Sequence, residues 1–394
     1  MLLPRLPPIP KLLKRRPVSG SGDFSWDYDE YVPGNAMSLY IRGSELYPAM
    51  TEAIQAAKHS VHLETYIFDG DHAGRAFAEL LAQKAREGVR TRLIYDSVGS
   101  IDMDPALETR MRNAGVQILE YHPVAPWRTR WAWNRRDHRK ILVCDGTVGF
   151  VGGMNISDEN APAEQGGGDW LDAHLRVEGP AAYDLDRLFR TVWYHQTGRW
   201  FESVGDPNVH RGPARVKVAA NQELLKRFVI REGYVNALRA AREEVSIANA
   251  YFIPDWRIRR ALAQAAKRGV RVRIMVPGHS DSNAVWHAMR AQYEYMLANG
   301  VRIFEWQGTM LHAKAVVVDR TWCSVGTYNL DHRSLRHNLE VNLNVMDLTL
   351  AADLAARFET GLAGSREITH ADWRRRPWTE RAQERFWSLF GYLF

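Results

Sequence analysis

The sequence is poor in cysteine and has no long apolar run. Its 394 residues include two cysteines, Cys144 and Cys323, each within or just after an apolar segment. We therefore expect small buried thiols rather than a disulfide, and no oxidising compartment. A membrane-spanning helix needs about 18 or more consecutive apolar residues. No such stretch occurs, so we expect no spanning helix.

Two further absences concern metal ligands and targeting signals. No cluster of His and Cys has the spacing of a metal site, so we expect no metal and no cofactor. Residues 1–22 hold five basic residues, no acidic residue and no apolar core of signal-peptide length. Prolines at positions 4, 7, 8 and 10 would break an amphipathic targeting helix. We expect residues 1–36 to be a flexible, basic, Pro-rich tail. The alternatives are an arm that contacts anionic lipid headgroups and an organelle transit peptide.

The composition is that of an ordinary globular protein with a basic surface. Charged residues make up 25% and hydrophobic residues 45% of the chain. The net charge of +6 favours an anionic partner, either a membrane or a nucleic acid. A chain of this length is long enough to bury two cores.

One pattern of residues occurs twice in the chain. It reads His-x-Lys, four residues, Asp, six residues, Gly-[Gly/Thr]-x-Asn, and it spans residues 138–155 and 312–329. The segment between Lys and Asp is apolar and β-branched, which predicts a buried strand on which His and Lys share one face. A Lys inside such a strand is costly unless an anion such as phosphate meets it. The candidate catalytic residues are His138, Lys140, Asp145, His312, Lys314 and Asp319, with Asn155 and Asn329 as candidate phosphate-binding residues.

The paired histidines suggest a division of chemical labour. One imidazole can attack phosphorus while the other protonates the leaving oxygen. A buried imidazole needs a carboxylate or carbonyl to fix its tautomer. Asp172 and Glu340 each follow a motif Asn in an apolar setting, so we predict that they orient the histidines. The alternative is that both are ordinary acids at strand edges.

The same order of predicted strands and helices precedes each motif. This alternation predicts an α/β fold with two similar α/β/α halves packed about a pseudo-twofold axis, each with a mixed β-sheet flanked by helices. The predicted division of the chain is a tail at 1–36, a first half at 37–200, a second half at 201–360, and an aromatic and basic membrane-interface tail at 361–394.

The two-motif pattern resembles the phospholipase D superfamily, and the predicted halves are then phospholipase D-like. Segments 172–180, 247–252 and 326–335 are similar to bacterial cardiolipin synthases of the cardiolipin synthase B type, and the resemblance covers residues 37–360. One departure is that the family usually has Ser after the motif Gly, where this chain has Gly153 and Thr327.

The resemblance implies a two-step phosphatidyl transfer. Two phosphatidylglycerol molecules would give cardiolipin and glycerol through a covalent phosphatidyl-histidine. The same resemblance favours His138 as the nucleophile and His312 as the general acid and base. It implies an anionic phospholipid substrate, with the protein a peripheral component of the bacterial cell membrane on its cytoplasmic side, and no nucleic acid is expected. The sequence gives no indication of the oligomeric state.

Two segments have the composition of a membrane interface. Residues 126–136 interleave three Trp with four Arg next to the first motif, and residues 373–394 combine an Arg run with an aromatic ending. Binding of single-stranded nucleic acid or plain packing would also fit the first segment, and a packed helix would fit the second.

Three classes of protein remain open at this point: a phosphatidyltransferase, a phospholipase D-type phosphodiesterase that hydrolyses phospholipid or nucleic acid, and a binding protein that has kept the fold. Intact His, Lys, Asp and Asn in both copies argue against the last class.

Overall fold

The computed structural model describes residues 30–124, 127, 132, 134–221, 228–280 and 282–392. The predicted tail at 1–36 therefore lies largely outside the described residues, as does most of the Trp- and Arg-rich segment at 126–136. Within the described ranges, the elements alternate in the order that the sequence predicts.

The first half contains seven strands and four α-helices among the described residues. Their bounds are β1 (Val32–Tyr40), α1 (Gly43–Ala56), β2 (Ser60–Thr65), α2 (His72–Arg86), β3 (Arg90–Asp96), α3 (Pro105–Asn113), β4 (Gln117–Tyr121), β5 (Ile141–Cys144), β6 (Val148–Gly152), β7 (His174–Glu178) and α4 (Pro180–Thr197). Capping residues fix several boundaries. Asp71 accepts from the backbone N–H of Gly74 at the start of α2, and Gly88 follows that helix with φ of 86°.

The second half repeats this order and then extends it. Its elements are β8 (Ala214–Asn221), α5 (Val229–Ala240), β9 (Glu244–Asn249), α6 (Trp256–Lys267), β10 (Arg271–Pro277), α7 (Asn283–Arg290), α8 (Tyr293–Ala298), β11 (Arg302–Trp306), β12 (Lys314–Val318), β13 (Trp322–Gly326), α9 (His332–Arg336), β14 (Glu340–Met346), α10 (Leu348–Ala363), β15 (Ser365–Ile368), α11 (His370–Arg374) and α12 (Trp378–Ser388).

Some predicted boundaries differ from the observed ones. The helix expected over 283–299 is two helices, α7 and α8. Strand β1 begins at Val32, before the predicted start of the first half at 37. The chain beyond 361 is not a separate tail throughout, because β15 pairs with β11 and extends the sheet of the second half.

The strands form one 15-stranded mixed sheet in the described part of the chain. Its order is β15-β11-β10-β9-β12-β13-β14-β8-β1-β7-β6-β5-β2-β3-β4. The order is mirrored about the antiparallel β1–β8 pair, and only β15 lacks a counterpart. The motif strands of each half form an antiparallel hairpin, β5–β6 or β12–β13. Beyond each hairpin the sheet continues through two parallel pairs, β2–β3 and β3–β4 in the first half and β9–β10 and β10–β11 in the second. This confirms the predicted α/β fold with two similar halves.

A shared apolar core joins the two halves. One cluster of buried residues combines Ile141, Val143 and Val151 of the first motif hairpin with Val325 and Leu343 of the second half. Alternate residues of a strand share one face, so these apolar side chains line the inner face of each half. The inner faces of the two halves therefore pack against each other. Cys144 and Cys323 are buried free thiols on the motif hairpins, in agreement with the sequence.

The two motif aspartates lie at the end of the hairpin strands that is remote from the histidines. Asp145 accepts hydrogen bonds from the backbone N–H groups of residues 58, 59 and 60, each at 2.8 Å. Asp319 accepts from those of residues 242, 243 and 244 at 2.8–2.9 Å. Both adopt positive φ, of 52° and 49°. This placement differs from the predicted catalytic role, and we assign both residues a structural role in joining each motif strand to β2 or β9.

We predict that Asp145→Ala destabilises the fold by about 2–4 kcal/mol, because three backbone donors lose their acceptor and Ala tolerates positive φ poorly. Urea denaturation followed by circular dichroism measures this change. Asp353→Ala is the control, since Asp353 forms only an exposed pair with Arg357 within one helix. Equal stability of the Asp145 variant and the wild type, with loss of turnover by the folded enzyme, would restore the catalytic assignment.

Candidate active site

Backbone pairing between the halves brings the two motifs together. Asp137 forms a parallel bridge with Leu339, and Leu171 forms the equivalent bridge with Leu311. The N–H of His138 donates to the carbonyl of Leu339 at 3.1 Å, and the N–H of His312 donates to that of Leu171 at 2.7 Å. The segment before each motif strand therefore lies beside the segment that carries the other half's acidic residue.

The result is a crossed pair of histidine–carboxylate contacts. His138 Nδ1 lies 3.0 and 3.1 Å from the two carboxylate oxygens of Glu340, and His312 Nδ1 lies 2.7 Å from Asp172 Oδ2. Each carboxylate thus holds the histidine of the opposite half. With Nδ1 engaged, Nε2 is the nitrogen available for chemistry. Both predicted acids contact a motif histidine, and their orienting role stays a prediction that this geometry supports.

The two motif lysines are buried beside the histidines. Lys140 Nζ donates to the carbonyl of His138 at 2.9 Å, and Lys314 Nζ donates to the carbonyl of His312. Burial, assisted by the nearby charge of Lys314, lowers the pKa of Lys140 to about 7, although Glu340 and Asp172 oppose the shift. A bound anion would favour the charged form of this lysine.

The two histidine–carboxylate pairs, His138 with Glu340 and His312 with Asp172, are called dyads below, and their electrostatics differ. Burial lowers the pKa of His138 well below its usual value, and Lys140, Lys314 and His312 add to this effect. Burial also lowers the pKa of His312, but Asp172 opposes the shift. Burial alone would raise the pKa of Asp172, yet His312 and Lys314 hold it below its ordinary value. Burial raises the pKa of Glu340 to about 7, although Thr327 and Lys140 oppose this.

Gly153 and Thr327 explain part of this inequality. Thr327 Oγ1 donates to Glu340 Oε2 at 2.5 Å and accepts from the N–H of Val341 at 3.0 Å. At the equivalent position of the first half, a Cβ on Gly153 would lie 2.2 Å from Asp172 Oδ1. The absence of a side chain at 153 therefore makes room for the carboxylate that holds His312. The sequence shows the departure from Ser at both positions but not these contacts.

The two motif asparagines are buried near the histidines. Asn155 Oδ1 accepts from the N–H of Ile67 at 3.2 Å, which leaves its amide donors for another acceptor. Asn329 is 4% exposed, and its Oδ1 has no hydrogen-bond partner within the described ranges. Their role as phosphate ligands stays a prediction. The site thus gathers six of the eight predicted catalytic and phosphate-binding residues, all but the two structural aspartates.

A group of buried charges behind His138 was not predicted. Glu64 and Asp137 are fully buried, and Arg139 donates from Nη2 to the carbonyl of Asn221 in the second half at 2.8 Å. Burial raises the pKa of Asp137 well above its usual value, and the neighbouring Glu64 raises it further. The sequence signal is Glu64, a carboxylate in strand β2, whose six residues are all buried.

The part of the chain that the structure describes lacks a metal-binding cluster and a membrane-spanning helix. It contains no group of three or more His, Cys, Asp or Glu side chains placed to hold a metal ion. No helix in the same residues has the length and apolar character needed to cross a bilayer.

The fold and the crossed dyads define a phospholipase D-like protein. The family model described as cardiolipin synthase, PLD-like domain, matches residues 50–193 and 234–361, and the chain belongs to this family. A curated cardiolipin synthase of Alkalihalophilus pseudofirmus is 35% identical over 347 residues, covering 87% of this chain and 69% of that protein. One of Halalkalibacterium halodurans is 35% identical over 359 residues, covering 89% and 71%. The phosphatidylserine synthase structure of Haemophilus influenzae shares the fold at a TM-score of 0.69 and 12% identity, covering 92% of this chain and 97% of that chain.

We predict a narrow optimum of kcat/KM near pH 7. Below this pH, Glu340 gains a proton and no longer accepts from His138 as an anion. Above it, Lys140 loses its proton and its charge, since both pKa values are about 7. Lys140→Arg keeps a charge at all accessible pH values, so the alkaline limb should move upward while the acid limb stays. A pH–rate profile of both proteins measures this. An alkaline limb that is identical in Lys140→Arg would contradict the assignment.

Proposed function

We propose that the chain condenses two phosphatidylglycerol molecules to cardiolipin and glycerol through a covalent phosphatidyl-histidine. Its family makes it a phosphatidyltransferase of phospholipid biosynthesis. The observation that carries the finer proposal is the crossed pair of dyads, which leaves two differently tuned imidazoles with free Nε2 atoms in one buried site.

In the first step, His138 Nε2 attacks the phosphorus of the donor lipid. The bond between phosphorus and the headgroup glycerol oxygen breaks, and His312 donates a proton from Nε2 to that oxygen. His138 suits the attack because its lowered pKa keeps it neutral with a lone pair on Nε2. His312 suits the proton donation better than His138 does, because the ionised Asp172 at 2.7 Å opposes the lowering of its pKa.

In the second step, the primary hydroxyl of a second phosphatidylglycerol is the acceptor. His312, now neutral, removes its proton, the new phosphorus–oxygen bond forms, and the bond to His138 breaks. Lys140, Lys314 and the amides of Asn155 and Asn329 would balance the phosphate charge in both transition states. Burial of the two histidines, at 8% and 6% exposure, favours an alcohol carried by a lipid over bulk water.

The substrate places this reaction at a bilayer surface. We propose peripheral association with the cell membrane on its cytoplasmic side, because the proposed substrate and product are both membrane lipids. The basic net charge of +6 supports attraction to a membrane of anionic lipid.

The deciding experiment incubates purified protein with phosphatidylglycerol vesicles and identifies the products by lipid mass spectrometry. We expect cardiolipin and glycerol from the wild type, and a loss of roughly a thousandfold or more in His138→Ala and His312→Ala, because each removes a reacting group. Phosphatidic acid in place of cardiolipin would identify a hydrolase. Cleavage of DNA without lipid turnover would identify a nucleic-acid phosphodiesterase.

The roles of the two histidines can be separated with phosphatidyl-p-nitrophenol. Nitrophenolate leaves without protonation, so His312→Ala should release one equivalent per enzyme and retain a phosphatidyl group on His138, because the second step lacks its base. His138→Ala should show no burst. Peptide mass spectrometry locates the adduct. A burst in His138→Ala, with the adduct on His312, would reverse the assignment.

A further inference from the structure

Helix α12 presents its apolar side chains to solvent. Trp378, Phe386 and Leu389 are 77%, 53% and 68% exposed, and Tyr392 beyond the helix is also exposed. The first three lie on one side of the helix, since residues separated by three, four or eight positions share a face. Apolar side chains arranged in this way normally cover a core, so their exposure indicates a missing apolar partner.

The opposite side of α12 is polar and faces the protein. Glu384 is 4% exposed and lies between two arginines. Arg376 Nη1 donates to both of its carboxylate oxygens at 2.8 Å, and Arg290 Nε donates to Oε1 at 3.2 Å. Arg290 also donates to the buried Glu305 at 2.9 Å. Both guanidinium groups stack near the buried ring of Trp373, at 3.0 and 4.9 Å.

This arrangement fixes the orientation of the helix. Rotating α12 to bury its apolar side chains would remove Glu384 from Arg290 and Arg376 and leave Arg290 buried with fewer partners, which is costly. The partly buried Trp387 packs on the core of the second half and adds to the attachment. The outward direction of Trp378, Phe386 and Leu389 is therefore built into the fold.

The carboxyl-terminal end of α12 lies close to segments that carry active-site residues. A Cβ placed on Gly391, just beyond α12, would lie 3.7 Å from the side chain of Ile253. Ile253 follows β9 and donates its N–H to the carbonyl of Leu330, the neighbour of the motif residue Asn329. Strand β9 in turn pairs with β12 at Asn249 and Lys314. A surface that met this end of α12 would therefore approach the segments that carry Asn329 and Lys314.

We propose that the outward side of α12, formed by Trp378, Phe386, Leu389 and Tyr392, binds an anionic phospholipid bilayer with the helix lying in the interface. This rests on the proposed function, in which the substrate is a membrane lipid. Arg381 and Arg385 are exposed on the same helix beside the apolar residues, where they would meet lipid phosphates. A second copy of the chain is a poorer partner, because a symmetric contact would place these arginines against their own copies.

The test measures sedimentation of the full chain with vesicles of phosphatidylglycerol and phosphatidylcholine in equal amounts. The variant Trp378→Ser/Phe386→Ser/Leu389→Ser should bind at least ~10-fold more weakly, since three apolar side chains no longer enter the interface. Leu348→Ser is the matched control, because Leu348 is likewise 68% exposed but begins α10, after the end of β14 remote from the site. This control should bind like the wild type.

A second substrate separates this proposal from the proposed function. With short-chain phosphatidylglycerol below its micellar concentration, the triple variant should keep wild-type turnover, because no bilayer is involved. Unchanged vesicle binding by the triple variant would overturn the bilayer proposal. The proposal would also be overturned if light scattering showed a dimer of the wild type and a monomer of the triple variant, since α12 would then bind a second copy of the chain. If the triple variant fails to fold, the single variant Leu389→Ser replaces it, and its vesicle binding and short-chain turnover are compared with those of the wild type and Leu348→Ser. Absence of transfer by a wild type that binds vesicles would instead refute the proposed function.

Discussion

The site depends on one constraint: neither histidine is held by its own half. The bridge between Asp137 and Leu339 places His138 beside Glu340, and the bridge between Leu171 and Leu311 places His312 beside Asp172. Neither half alone can therefore fix the tautomer of its own histidine. This explains why the chain carries two copies in one sheet with a shared core, where the halves are held in register by the β1–β8 pair and by packing of the inner faces.

Duplication produces symmetric geometry, but the chemistry needs two different histidines. A few substitutions break the symmetry. A glutamate that accepts from Thr327 holds His138, and an aspartate that fills the space over Gly153 holds His312. The longer acid contacts its histidine through both oxygens and has a raised pKa, while the shorter one contacts through a single oxygen and stays ionised. A neutral nucleophile and a proton-carrying partner are the roles that this difference favours.

Much of the fold and most of the site follow from the sequence, since strand and helix periodicity and the repeated motif are local signals. Glycines such as Gly88 mark helix ends because their φ is positive. The break between α7 and α8 gave no signal, as Met289, Tyr293 and Met296 are all buried and the apolar spacing continues across it. The remote position of the motif aspartates could have been read from the sequence, because the predicted strand between each Lys and Asp places the two residues at its opposite ends. Their place in one pattern with the histidines suggested a catalytic role instead. The crossing of the dyads is a long-range property that no spacing encodes.

Buried positive and negative side chains face each other both at the site and at α12, but only the charges at the site favour a bound ligand. At the site, two lysines face two carboxylates, and burial brings the pKa values of Lys140 and Glu340 to a common value of about 7. The incoming phosphate would add a negative charge, favour protonated Lys140 and make the site more nearly neutral as it fills. At α12, Glu384 already satisfies Arg290 and Arg376 inside the protein. That ion network needs no ligand, and it leaves the apolar side chains of the helix free for a partner that is itself apolar.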